Sequence, residues 1–253
     1  MGMSYNPYNL KGKIVLITGG SAGIGRATAI ECSQMGASVI ITGRNVQRLE
    51  ETIQMLDKSD NQQHQYIVAD FISQEAISSI IDAIPNIDGL VNNAGINKIL
   101  PIQFVNEAEL MNTLQINMIS PILLTQALLK KKKINKGGSV VFVSSIAGHT
   151  RSSVGNSMYC ASKGGVSGFM RCLSKEMASK KIRCNAILPG QTETNIMAQG
   201  AISEEQMEKA RQAIPLKRLG DPKDVAWGII YLLSDASSYV TGISLIVDGG
   251  ISV

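Results

Sequence analysis

This sequence is poor in the residue types that build several common kinds of site. It has two histidines, His64 and His149, and four cysteines, at positions 32, 160, 172 and 184. No CxxC pair occurs and the histidines stand far apart, so ligand spacing does not support a metal centre. Scattered thiols with no framework fit a reducing compartment, and a cytoplasmic location is expected. Aromatic residues make up 4% and no nucleic-acid recognition motif is present, so a nucleic-acid partner is not expected. Long apolar runs are missing too. Those present are strand-sized and broken by Gly or Ser, so no membrane span or membrane partner is expected. The opening MGMSYNPYNL lacks the apolar core of a signal peptide, and Asn6 stands where a myristoylation pattern needs Ser or Thr. Net charge is only +4, and much of it sits in KKKK at 130–133 with Lys136, a run that suits the end of a helix.

What remains is a globular composition, 44% hydrophobic and 17% charged over 253 residues, enough to bury a large core. Apolar β-branched runs alternate with stretches of helical spacing. KIVLIT (13–18), SVIIT (38–42), HQYIVAD (64–70), DGLVNN (88–93), SVVFVSS (139–145), IRCNAIL (182–188) and ISLIVD (243–248) read as strands. Between them lie helical stretches at 23–36, 45–58, 73–84, 107–130 (one long helix with Pro121 inside), 157–180 and 221–235; the segment 189–220 is less regular. Continuous apolar strands belong to a parallel sheet covered on both faces. The expected fold is α/β: a single-domain Rossmann-type doubly wound parallel sheet of about seven strands, in three α/β/α layers over 1–253. Sheets of this kind bind ligands at the carboxyl ends of their strands.

Four of those strand ends carry chemistry. The first ends in TGGSAGIG (18–25) and runs straight into a helix. Small residues there let the backbone approach a pyrophosphate, and the helix N-terminus offers free N–H groups. The spacing G-x-x-x-G-x-G departs from the usual dinucleotide fingerprint. Candidates in this loop are Gly19, Ser21, Gly23, Ile24 and Gly25. The second strand ends in TGRN, which puts Arg44 where an acid would bind ribose hydroxyls. Arginine suits a 2′-phosphate, so NADP (NADPH) is favoured over NAD. Asp70 ends the third strand and is placed to accept from an adenine amino group. The fourth ends in NNAG, giving Asn93, Ala94 and Gly95 beside the cofactor. Further on, YCASK (159–163) sets Tyr159 and Lys163 four residues apart, hence on one helix face. A lysine cation beside a phenol favours the phenolate and lowers its pKa, so the pair reads as a tuned acid or base. Alone, the same spacing reads more readily as a buried ring and a surface lysine, since it arises easily by chance.

Taken together, TGGSAGIG, NNAG, Asn117, SSIAG, YCASK, PGQTET and VDGG resemble the short-chain dehydrogenase/reductase family, in order and over nearly the whole chain. The resemblance implies roles. Tyr159 is the acid in ketone reduction and the base in alcohol oxidation. Lys163 lowers the pKa of Tyr159 and binds the nicotinamide ribose. Ser145 polarises the substrate carbonyl, and Asn117 holds a water in a proton relay towards Lys163. Pro189, Gly190, Thr192 and Thr194 grip the nicotinamide carboxamide. A lid follows at roughly 195–215, with Met197, Ile202, Met207 and Ile214. No metal is needed. One departure bears on the cofactor: Ala22 stands where many NADP-preferring members have a basic residue, which leaves that preference resting on Arg44.

The run from Pro215 to Gly250 most resembles the 3-oxoacyl-acyl-carrier-protein reductase subgroup. It implies NADPH-dependent reduction of a ketone or acyl-thioester substrate. Acyl carrier protein would dock on Lys136 and Lys180 near the active-site entrance, and the assembly would be a homotetramer. A sugar or polyol dehydrogenase is the alternative. A nucleotide-binding scaffold without catalysis is a third reading, disfavoured by the intact Asn117, Ser145, Tyr159 and Lys163. The loop between Ser145 and Tyr159 reads as slightly long; an inserted residue there would turn His149 and Arg151 towards the substrate, and without one they are exposed loop residues.

Overall fold

A computed structural model describes residues 5–73, 75–193 and 204–253. Seven strands form one sheet: β1 Ile14–Thr18, β2 Ser38–Gly43, β3 Gln65–Val68, β4 Ile87–Asn92, β5 Ile134–Val143, β6 Arg183–Pro189 and β7 Ser244–Val247. Every pairing is parallel and the order is β3-β2-β1-β4-β5-β6-β7. The expected topology is therefore the observed one.

The central strands are apolar along their middles because both faces are covered, while β3 and β7 at the edges are partly exposed. Along them, neighbouring side chains enter opposite layers. Leu16, Ile40, Leu90, Val140, Phe142 and Leu188 pack under helices α3 Glu75–Ala83, α5 Ser120–Lys130 and α6 Ser157–Met177. Val15, Ile17, Val39, Ile41, Val91 and Ile187 pack under α1 Gly23–Gln34, α2 Val46–Gln54 and α8 Pro222–Leu233. Phe142 is wholly buried and meets Phe169 of α6 edge-on, with ring centroids 5.9 Å apart.

Three expectations change. The helix at 107–130 is interrupted: α4 Glu107–Leu114 gives way to a π-helical turn at Gln115–Ile119, and α5 follows. Pro121 is the cause. It has no N–H to return to the carbonyl of Asn117, so the backbone widens, and the Ser120 N–H bonds Gln115 O, five residues back. Within 189–220 a further helix, α7 Glu204–Ala213, is present. Strand β5 also begins earlier than its apolar run, at Ile134.

Strand order reverses between β1 and β4, and side chains from both strand ends cross the base of the crevice that opens there. The Thr18 hydroxyl, at the end of β1, accepts from Asn93 N at 2.9 Å and Ala94 N at 3.0 Å, just past the end of β4. Thr18→Val keeps the shape but leaves two N–H groups without their acceptor. It should destabilise the fold by about 1–3 kcal/mol in urea unfolding, and Thr18→Ser should recover most of the loss. Equal stability of the Val variant would show that water serves these groups just as well.

Candidate active site

The glycine loop is shaped by close packing. Gly19 has φ +69°, a left-handed conformation, and a Cβ there would lie 2.9 Å from the Ala94 backbone. At Gly25 a Cβ would fall 2.2 Å from Gly19 O, so α1 can begin this close to β1 only without a side chain. Gly23 and Ile24 form the first turn of α1. The Ser21 carbonyl is held by Arg26 Nη2 at 2.7 Å, and its hydroxyl lies beside Gly43 at the end of β2.

Helices α2, α4 and α8 have their N-termini capped by the side chains of Asn45, Asn106 and Asp221. Helix α1 differs. Its cap residue is Ala22, with no side-chain hydrogen bond and no acid in the first turn. Its leading N–H groups and dipole end are left for an anion, which fits a dinucleotide pyrophosphate.

Around this loop the predicted cofactor residues divide. Arg44 is exposed at the end of β2, and no ion pair involving it is found among the described residues. Asp70 is also exposed; one carboxylate oxygen accepts from Ile72 N at 3.1 Å and shapes the turn after β3. The Asn93 amide is committed to the loop itself, donating to Thr18 O at 2.9 Å and Gly19 O at 3.2 Å. Pro189 ends β6, Gly190 packs tightly against Asp248, and buried Thr192 donates to Gly190 O at 3.3 Å. Thr194, Met197 and Ile202 lie outside the described residues. Of the remaining lid candidates, Met207 is half-buried on α7, and Ile214 is buried against Gly249 as core packing.

The four catalytic candidates converge. The Tyr159 hydroxyl faces the Ser145 side chain closely enough for the serine to favour its phenolate, while Ser145 Oγ accepts from Ala147 N at 3.1 Å. Lys163, only 4% exposed, donates to Val143 O at 2.8 Å, and its Nζ lies 5.7 Å from the Tyr159 ring centroid. Gly95 sits between the other two: a Cβ there would meet Asn117 Oδ1 at 3.2 Å and Lys163 Nζ at 3.3 Å. The Asn117 side chain, however, is a clamp. Its amide donates to Ile96 O at 2.9 Å and Ser162 Oγ at 3.1 Å, and its oxygen accepts from Ile96 N at 2.8 Å.

The electrostatics correct one expectation. Burial raises the Tyr159 pKa above its ordinary value, the Ser145 side chain offsets part of the rise, and the nearby Cys160 adds slightly to it. Lys163 does not hold the phenol down. Burial pushes its own pKa down to about 8. Desolvation drives both groups towards neutrality.

Lys136 and Lys180 are corrected as well. Lys136 lies in an irregular stretch at the start of β5, where Ile134–Ser139 runs alongside only two residues of β4, and the regular strand from Ser139 to Val143, roughly 13 Å long, separates it from the catalytic end. Lys180 follows the far end of α6, which at about 1.5 Å per residue is roughly 30 Å from Tyr159. Both are exposed at the opposite end of the sheet from this chain's own site. His149 is exposed, and Arg151 is turned away, donating to Ile251 O at 2.7 Å. A surface cavity of ≈ 400 Å³ opens between two loops, lined by Pro101, Ile102, Val154, Gly155 and Cys160 among others; neither Tyr159 nor Ser145 lines it.

Thr18, Ser144 and Ser162 belong to the site's framework and were missed by motif reading. Ser144 Oγ donates to Lys163 O at 2.9 Å, and Ser162 Oγ donates to Tyr159 O at 2.7 Å. A lone hydroxyl in a strand end or helix carries no spacing signal of its own.

A family model described as enoyl-(acyl carrier protein) reductase matches residues 19–252. A 3-oxoacyl-[acyl-carrier-protein] reductase of Aquifex aeolicus is 35% identical over 95% of this chain and 98% of its own length. One of the same name from Thermotoga maritima is 34% identical over 96% and 99%. A dehydrogenase/reductase structure from Sinorhizobium meliloti superposes with TM-score 0.89 at 28% identity, covering 98% of each chain. An NADP-bound structure from Agrobacterium tumefaciens, provisionally named a 2-deoxy-D-gluconate 3-dehydrogenase, gives 0.88 at 30% identity, covering 98% of this chain and 99% of that one.

The chain belongs to the short-chain dehydrogenase/reductase family. It is an oxidoreductase of CH–OH and keto groups that uses a nicotinamide dinucleotide.

The buried ammonium of Lys163 has a consequence for stability. Its folded pKa lies below that of the unfolded chain, so the unfolded chain holds more protons between the two values. Stability should therefore rise with pH from about 8 to about 10.5, by about 3 kcal/mol from this group. Lys163→Met should flatten that rise in melting temperature measured across the same window. An unchanged slope would assign the rise to other groups.

Proposed function

We propose that this protein reduces 3-oxoacyl thioesters, carried on acyl carrier protein, with NADPH as hydride donor. The observation that supports this best is the juxtaposition of two hydroxyls, Ser145 and Tyr159, beside a buried lysine. Two O–H donors directed at one point suit a single carbonyl oxygen. The relatives' names supply the substrate class.

The nicotinamide, when bound, supplies the hydride. The chain does the rest. The free N–H groups of α1 hold the pyrophosphate, and Pro189, Gly190, Thr192 and Thr194 orient the carboxamide end. Ser145 holds the carbonyl oxygen as negative charge grows on it. Tyr159, kept protonated by burial, delivers the proton that completes the alcohol. Lys163 binds the ribose and restores the proton to Tyr159. Asn117 fixes the backbone of Ile96 with its amide. Its main-chain carbonyl, which Pro121 cannot serve, accepts the relay water. Arg44, with Ser21 close to the end of β2, reads the 2′-phosphate.

In this reading the chain works as one domain, in the cytoplasm, as a homotetramer. Docking of acyl carrier protein on Lys136 and Lys180 of the same chain is not part of it, given their distance from Tyr159.

Two measurements test it. Tyr159→Phe should lose about 10²–10⁴-fold in kcat for acetoacetyl thioester reduction while still binding cofactor. Unchanged turnover would remove the phenol from the mechanism. Arg44→Ala should raise the KM for NADPH by about 10–100-fold and leave that for NADH unaltered. Equal effects on both would strip Arg44 of its role as phosphate reader.

A further inference from the structure

We propose that Arg151 is a positioning residue for Ser145: its guanidinium clasps the loop between Ser145 and Tyr159 to the turn that follows β7. The inference rests on the reading of these two hydroxyls as the pair that meets the substrate oxygen.

They are separated by residues 146–156, which form neither helix nor strand. The course of that loop sets where Ser145 stands relative to α6. Internally the loop is well knit. The N–H groups of His149, Thr150 and Arg151 converge on Ile146 O at 3.1, 3.0 and 3.0 Å, and Gly148 N bonds Arg151 O at 3.0 Å. These bonds give the loop a shape but do not tie it to anything else.

Its hydrogen bonds to the rest of the chain are few. Ile146 N donates to Pro189 O at 3.2 Å, and Leu100 N donates to Gly155 O at 2.8 Å. Between these two points the loop meets the rest of the chain by packing, with Gly148 set against the Cys160 backbone of α6, and, among the described residues, by one side-chain hydrogen bond, the exposed bond from Arg151 Nη1 to Ile251 O at 2.7 Å. It is charge-assisted and made by a side chain long enough to span two loops.

The other end of the clasp is firm. Gly249 and Gly250 have φ of +65° and +88°, which lets the chain turn sharply after β7. The Asp248 carboxylate accepts from Gly250 N at 2.8 Å and Ser252 N at 3.0 Å, and Leu216 N donates to Gly249 O at 3.2 Å. The Ile251 side chain packs on the main core. The Ile251 carbonyl is thus a fixed acceptor, and Arg151 transmits its position to the loop that carries Ser145. Small misplacements of reacting groups carry large rate penalties.

The test uses the full chain with Arg151→Met and Arg151→Lys, reading kcat, KM, cofactor affinity and amide hydrogen exchange over 146–156. Arg151→Met should lower kcat about tenfold with cofactor affinity unchanged, and exchange in the loop should quicken. Arg151→Lys keeps a donor and should recover most of both. Asp248→Ala, which removes the acceptor that shapes the turn, should mimic Arg151→Met and add little to it in the double variant. Equal losses in the Met and Lys variants, or none in either, would overturn the clasp. If the wild-type protein reduces no 3-oxoacyl thioester, the substrate reading fails, and loop exchange still decides: unchanged exchange in Arg151→Met overturns the proposal by itself.

Discussion

The hydroxyl of Thr18 holds the two halves of the sheet together where they part. Strand order reverses between β1 and β4, so the connections leaving these neighbours run to opposite sides and a crevice opens above them. Thr18 bonds both Asn93 N and Ala94 N across that gap, and the Asn93 amide returns the connection to Thr18 O and Gly19 O. The glycine loop on one side and the stretch up to Gly95 on the other are thereby set at one distance. Gly95 in turn touches both Asn117 and Lys163. The phosphate end and the catalytic end of the site share one framework.

Burial governs the chemistry of that site more than charge pairing does. A lysine and a phenol on one helical turn look like partners in Coulomb terms, yet desolvation shifts both towards neutrality. At 5.7 Å from the ring centroid, with its proton directed at Val143 O, the ammonium is solvated by a carbonyl rather than paired with a phenolate. A protonated phenol is the form a ketone reductase needs to complete the alcohol. The cost is a buried amine that destabilises the fold at neutral pH, a burden typical of functional sites.

Parts of this protein were legible from residue order, for local reasons. Strands such as Val15–Ile17 and Val140–Val143 are apolar at every position because both faces are covered, which identifies a buried parallel sheet. Tyr159 and Lys163 share a helix face whatever surrounds them. Gly19 and Gly25 were readable as a tight loop, although the clash that excludes a side chain involves Ala94 as well as the loop itself. The break at Gln115–Ile119 was not read, since Pro121 could have kinked one long helix instead. Lys136 and Lys180 were misplaced because motif alignment carries no distance, and the length of α6 puts Lys180 at the far end of the sheet.

The sequence by itself determined the alternation of strands and helices, the glycine turn, the uncapped start of α1 and the set Asn117, Ser145, Tyr159 and Lys163. Each depends on neighbours a few residues away, where backbone geometry fixes the outcome. Tertiary structure alone decided that Asn117 clamps Ile96, that Arg151 reaches Ile251 rather than a substrate, and that Lys163 sits in a dry pocket with a pKa near 8. Those outcomes depend on residues tens of positions apart. Desolvation and hydrogen-bond partnership there are properties of the packed interior, and no local spacing encodes them.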